Sequence, residues 1–211
     1  MAAGNELESL EAACRQVPLT ENKYLATDLV ATLLDTVVDY QQHTTTVRRA
    51  SEHFNATRWD DVRSLDDLEA LFEYFPNDKE GNSALGQFLW GYNFWTRAEQ
   101  LRGLVAFVRT RSIETLDDLR SWAESSSFAE FEGQVKGLGP VVYQWLVMRL
   151  GVETVKPDIH IVRFVSRAMG RQVSEREAID SLVVVAGRMS VKANQLDWSI
   201  WEHERSNGSP R

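Results

Sequence analysis

The sequence predicts an all-α protein, and three observations carry that reading. Apolar residues recur three and four positions apart in segment after segment, the spacing that gathers them on one helix face. Ser64-Leu65-Asp66-Asp67 and Thr115-Leu116-Asp117-Asp118 each set a hydroxyl three positions before a carboxylate, the capping-box mark of a helix start, with Asp in place of Glu. No stretch alternates apolar and polar convincingly. Residues 183–185 are the best β candidate and sit inside a helical pattern.

Along the chain, residues 1–27 are polar with scattered apolar positions, and Pro18 ends any first helix over residues 10–17. Leu29, Val30, Leu33, Leu34, Val37 and Val38 form a helical stripe. A polar, threonine-rich run from Tyr40 to Thr46 interrupts it, and a helix resumes over residues 47–54 with Arg48 and Arg49 exposed. The first capping box opens a helix through Leu68, Leu71 and Phe72; residues 76–82 read as a loop and residues 85–92 as a short apolar helix or turn. The second box opens a helix through Leu119 and Trp122. Residues 128–135 lead into Gly137-Leu138-Gly139, two glycines around one apolar residue. Pro140 then suits a first helical position, Val142, Trp145, Leu146 and Arg149 follow at helical spacing, and Gly151 marks the stop. After Lys156-Pro157-Asp158 another helix places Ile159, Val162 and Val165 on one face. Ser174 caps a helix through Ile179, Leu182 and Val183, and a last helix covers residues 196–204 with Trp198 and Trp201 as anchors. Residues 206–211 read as a disordered tail. Trp122, Trp145, Trp198 and Trp201 read as core.

At 211 residues, 26% charged and 43% hydrophobic, the chain fits a soluble globular protein with one sizeable core or two small lobes. No apolar run approaches the ~18 residues of a membrane helix, and the N-terminal Met-Ala-Ala-Gly-Asn-Glu lacks a secretion signal. Cys14 is the only cysteine, which excludes an internal disulfide and fits a reducing cytoplasm. A four-thiolate iron–sulfur cluster is excluded within one chain, and the histidines at 43, 53, 160 and 203 are too scattered for a zinc site, so no metal is expected from these residues. The net charge is −8, but the basic residues cluster. Residues 136–171 carry Lys136, Arg149, Lys156, Arg163, Arg167 and Arg171 against Glu153 and Asp158. Arg97, Arg102, Arg109 and Arg111 stand against Glu99. That pattern predicts weak, salt-sensitive binding to nucleic acid.

The Gly137-Leu138-Gly139 hairpin, followed about twenty residues on by Asp158, His160, Ile161, Arg163 and Phe164, resembles the helix-hairpin-helix (HhH-GPD) DNA glycosylase superfamily, which includes endonuclease III and the 3-methyladenine glycosylases. Gly91-Tyr92-Asn93-Phe94-Trp95-Thr96-Arg97-Ala98-Glu99-Gln100-Leu101 is similar to an element that begins a helix in that family, Arg97 standing near its usual lysine. The resemblance covers residues 28–205. It implies a two-lobed helical fold with a cleft, residues 28–150 forming a barrel lobe that ends in the hairpin. Residues 1–27 and 151–205 would form a second lobe carrying the aspartate.

It further implies base-excision repair chemistry: hydrolysis of the N-glycosidic bond of a flipped, damaged or modified base in double-stranded DNA, by a cytoplasmic enzyme associated with nucleoid or nucleus. Positive charge builds at C1′ as the base leaves, and a carboxylate stabilises it or activates water. Asp158 matches the catalytic position, although an Asp between Pro and a helix is also an N-cap. Lys136, Gly137, Leu138, Gly139 and Val141 match the backbone-binding hairpin, where exposed N–H groups at a helix N-terminus attract phosphate. In relatives the hairpin carbonyls hold a monovalent cation, so a sodium or potassium ion is implied there. His160 and Arg163 are supports or phosphate contacts. Gln41 and Gln42 match a run bordering the base pocket, or belong to a polar turn. Tyr92, Trp95 and Tyr143 are candidates for the pocket itself. The Schiff-base lysine of bifunctional relatives is replaced by Val141, which implies a monofunctional enzyme. Three positions depart from the family pattern. Lys136 replaces a common proline, Pro140 removes one N–H, and Tyr143 replaces a usual alanine, which implies a wider helix gap or a ring turned into the cleft. Two other readings stay open: a DNA- or lesion-binding protein of the same fold without catalysis, and a protein-interaction module using tryptophans and acidic surface.

Overall fold

The computed structural model describes residues 2–21, 25–39 and 44–206. These residues form α-helices and no strand: α1 (Ala2–Cys14), α2 (Leu29–Asp39), α3 (Thr44–Thr57), α4 (Leu65–Tyr74), α5 (Lys79–Trp90), α6 (Trp95–Arg109), α7 (Leu116–Ser125), α8 (Phe128–Phe131), α9 (Pro140–Arg149), α10 (Ile159–Met169), α11 (Glu175–Met189) and α12 (Ala193–Ser206). The chain divides into two compact units, one of Ala26–Leu146 and one of Met1–Leu25 with Val147–Arg211.

In the Ala26–Leu146 unit, α6 packs against α5 and α2, and α3 against α2 and α5. The α2 stripe supplies Val30, Leu33, Leu34, Val37 and Val38, all buried, and α6 answers with Leu101, Leu104, Val105 and Val108. Both capping boxes form. Ser64 and Thr115 accept from the N–H of Asp67 and Asp118, whose carboxylates reach back to the cap N–H groups. Residues 79–82, expected in a loop, belong to α5, because Asp78 caps the helix by accepting from Gly81 N–H at 2.7 Å. Arg102 on α6 closes α4. It donates to the carbonyls of Phe72 (3.2 Å) and Phe75 (2.5 Å) and to Asn82 Oδ1 (2.8 Å), placing a cation at the negative end of that helix. Arg109 ties α6 to the α4 carboxylates Asp66 and Glu69 and to Glu114 before α7.

In the other unit α1, α10, α11 and α12 enclose a core that includes Leu10, Cys14, Phe164, Val165, Leu182, Leu196 and Ile200. The buried face of α10 is Ile161, Phe164 and Val165, not the expected Ile159, Val162 and Val165. Ile159 is 50% exposed, because the first helical residue lies at the edge of the stripe that repeats from 161. Gly170 ends α10 in the left-handed conformation at φ 72°, and Arg171 N–H returns to Ser166 O at 3.1 Å. Arg171 bridges Glu6 of α1 and Glu177 of α11, while Thr20 ties the segment after α1 to Ser199 and Glu202 of α12. Burial pushes the Cys14 thiol up to about 12, so it behaves as a core residue. Trp198 and Trp201 are half-buried and stacked on each other, centroids 4.9 Å apart, so only part of each ring serves as an anchor. Ser206, expected in the tail, closes α12, and residues 207–211 lie outside the described residues.

Candidate functional site

The hairpin belongs to the Ala26–Leu146 unit and is built on α6. The one-turn α8 leads into it, and Leu138 N–H closes a turn onto Val135 O at 3.1 Å. Gly137 sits at φ 80°, a left-handed conformation that a side chain disfavours. A Cβ there would also meet Gln100 Nε2 at 2.8 Å. Gln100 donates to Gly137 O at 3.4 Å and accepts from the buried Arg97 at 3.0 Å. Gly103 leaves room for Val135, and Glu99 faces Lys136 Nζ at 3.6 Å. Two of the stretches that carry the sequence resemblance, 91–101 and 137–139, therefore meet in space. Leu138 is buried and anchors the turn. The N–H groups of Gly139 and Val141 make no hydrogen bond among the described residues, where α9 begins. Lys136 is exposed beside them.

Tyr143 is only 5% exposed. Its ring packs among Trp122, Phe128 and Phe131, and its hydroxyl lies 3.0 Å from Ser126 Oγ. Burial raises its phenol, with the Ser126 bond opposing that shift. The position is thus filled by an aromatic cluster that fastens α9 to α7 and α8. Tyr92 stacks on Phe94 at 5.0 Å, and Trp95 is 37% exposed with Lys79 Nζ 5.8 Å from its ring centre. Gln41 and Gln42 lie outside the described residues.

Asp158 belongs to the other unit, where it is the half-buried N-cap of α10. One oxygen, Oδ1, accepts from His160 N–H (2.9 Å) and Ile161 N–H (3.1 Å), while Oδ2 accepts no hydrogen bond among the described residues. Both sequence readings of this residue are compatible with that geometry: the cap uses one oxygen and leaves the other. His160 is half-buried, its Nδ1 enclosed without a hydrogen-bond partner, and Arg163 is exposed on the next turn.

A residue outside the sequence expectations stands behind Asp158. Asp197 on α12 is 5% exposed and accepts from Lys156 N–H at 3.0 Å. Burial above all, and then the charge of Asp158, raise its carboxyl well above the usual range, against the opposing effects of the Lys156 charge and N–H. The sequence signal for it is positional: Asp197 follows Leu196 and precedes Ile200 by three, so it lies on the edge of an apolar helix stripe. Among the described residues, no three His, Cys, Asp or Glu side chains are grouped to hold a metal ion, and no helix is long and apolar enough to cross a membrane.

The protein is all-α, with a glycine hairpin seated on one helix in one unit and a capping aspartate and a buried carboxyl in the other. The chain belongs to the family described as a domain of unknown function (DUF8548), whose model matches residues 7–205. No curated protein and no solved structure matches it.

Proposed function

We propose that this protein is a monofunctional DNA N-glycosylase of helix-hairpin-helix type, excising a damaged or modified base. The observation that carries the reading is the hairpin. Gly137 turns the backbone, Leu138 pins it, and the unbonded N–H groups of Gly139 and Val141 open at the start of a ten-residue helix beside Lys136. Such N–H groups, with the helix dipole behind them, suit a phosphate. In this reading the hairpin unit grips the DNA backbone in the two-lobed arrangement of that superfamily, and the unit carrying Asp158 breaks the bond.

Chemically, the flipped nucleotide presents C1′ to the Asp158 carboxylate. As the glycosidic bond lengthens, electrons leave with the base and positive charge develops on the sugar, which the carboxylate stabilises while aligning water for attack at C1′. With Val141 in the lysine position no Schiff base forms, so strands break only after alkali. A monovalent cation at the hairpin carbonyls and contacts from His160, Arg163, Gln41 and Gln42 belong to the same proposal.

The two cap bonds of Asp158 favour one alternative, a lesion-binding protein of this fold without catalysis. The test is base release from modified duplexes by wild type and Asp158→Asn. Asn caps about as well as Asp, so the variant folds, and its rate falls by about 10²–10³. DNA binding by both proteins with no base release from wild type establishes the alternative.

A further inference from the structure

We propose that Asp197 is the positioning residue for Asp158, holding from α12 the turn that presents its carboxylate. This inference rests on the glycosylase reading for its catalytic meaning, but its geometry stands by itself.

Two carboxylates fasten the loop before α10 to α12. Glu153 in the loop accepts from Ala193 N–H at 2.7 Å, filling an open donor at the start of α12. Asp197, one turn further along α12, accepts from Lys156 N–H at 3.0 Å. Between Lys156 and Asp158 the chain closes tightly around Pro157, with Asp158 N–H donating to Lys156 O at 2.8 Å. The Lys156 peptide groups therefore face two ways, one to Asp197 and the other to Asp158. A shift at Asp197 passes through this single turn to the Asp158 carboxylate and its bonds to His160 and Ile161.

A buried carboxylate that only held a loop could be replaced by any neutral acceptor, and here charge argues for that replacement. The charged groups facing Asp197 are Asp158 and Lys156, and burial with the Asp158 charge favours the protonated form of Asp197. A neutral Asp197 still accepts from Lys156 N–H through Oδ1.

The test is amide hydrogen exchange on the full chain, comparing Asp197→Ala, which removes the acceptor, with Asp197→Asn, which keeps it. Exchange at His160 and Ile161 is expected to rise about tenfold in the Ala variant, the equivalent of one weakened hydrogen bond, and to stay near wild type in the Asn variant. Equal protection in all three proteins overturns the proposal, as does equal loss in both variants. Single-turnover base release should fall with Asp197→Ala at unchanged DNA affinity and be rescued by Asp197→Asn; a loss that Asn does not rescue contradicts the positioning role. A second measurement needs no foldable Ala variant: carboxyl NMR of Asp197 in wild type and Asp158→Asn. Its titration midpoint should drop when the Asp158 charge is removed, and an unmoved midpoint overturns the pairing. If wild type releases no base, the exchange and titration results still decide the positioning claim, and only the glycosylase reading falls.

Discussion

At the residue scale the protein sets two aspartates to different tasks by environment. Asp158 is half-buried and shares one oxygen between two helix-start N–H groups; Asp197 is enclosed and its carboxyl is raised, mainly by burial. A raised carboxyl favours the folded state fully below its unfolded value of ~3.9. That contribution is lost as pH rises through the folded value, because the folded protein holds a proton that the unfolded chain has released. Replacing Asp197 with Asn keeps the Lys156 bond and removes the titration. In urea unfolding, the Asn variant should therefore gain stability relative to wild type over the pH window that opens above about 4. A constant difference across that window contradicts a raised Asp197. Taking the difference cancels the carboxylates Glu6, Asp67, Asp118 and Glu177, which shift the other way through their arginine, hydroxyl and backbone partners.

At the element scale the hairpin is a turn specified by one glycine more than the other. Gly137 has φ 80° and Gln100 Nε2 would lie 2.8 Å from an added Cβ, whereas Gly139 has ordinary φ and open space. Gly137→Ala should cost about 1–2 kcal/mol from backbone strain alone, and Gly139→Ala much less, as read by thermal or urea unfolding. Equal effects contradict the turn described. Much at this scale is legible in the sequence because local chemistry sets it. The capping boxes at Ser64 and Thr115 use side chains three residues apart, and Pro140 with Asp158 marks two further starts. What escapes is tertiary. Gln100 looks like any polar helix residue until Gly137 is placed beside it, and Asp197 looks solvated until α10 and α11 cover α12. Tyr143, a candidate for the pocket itself, packs among the rings of Trp122, Phe128 and Phe131, which no local pattern ties to it. Ile159 falls on the wrong face of α10 because a helix start gives too few turns to phase the stripe.

At the scale of the whole molecule, a net charge of −8 works against any polyanion, and association must come from local groups. Lys136 at the hairpin, with its side chain 88% exposed, is one such group. Binding to duplex DNA should weaken steeply with salt, and Lys136→Ala should reduce the magnitude of the slope of log K against log salt by about 0.9 for the one phosphate lost. An unchanged slope places the phosphate elsewhere. The measurement that bears most directly on the function is base release from a panel of damaged and modified duplexes, wild type beside Asp158→Asn. Wild type is expected to release a base about 10²–10³ times faster than the variant, with strand breakage only after alkali treatment. DNA binding without release by either protein, or equal release by both, would contradict it.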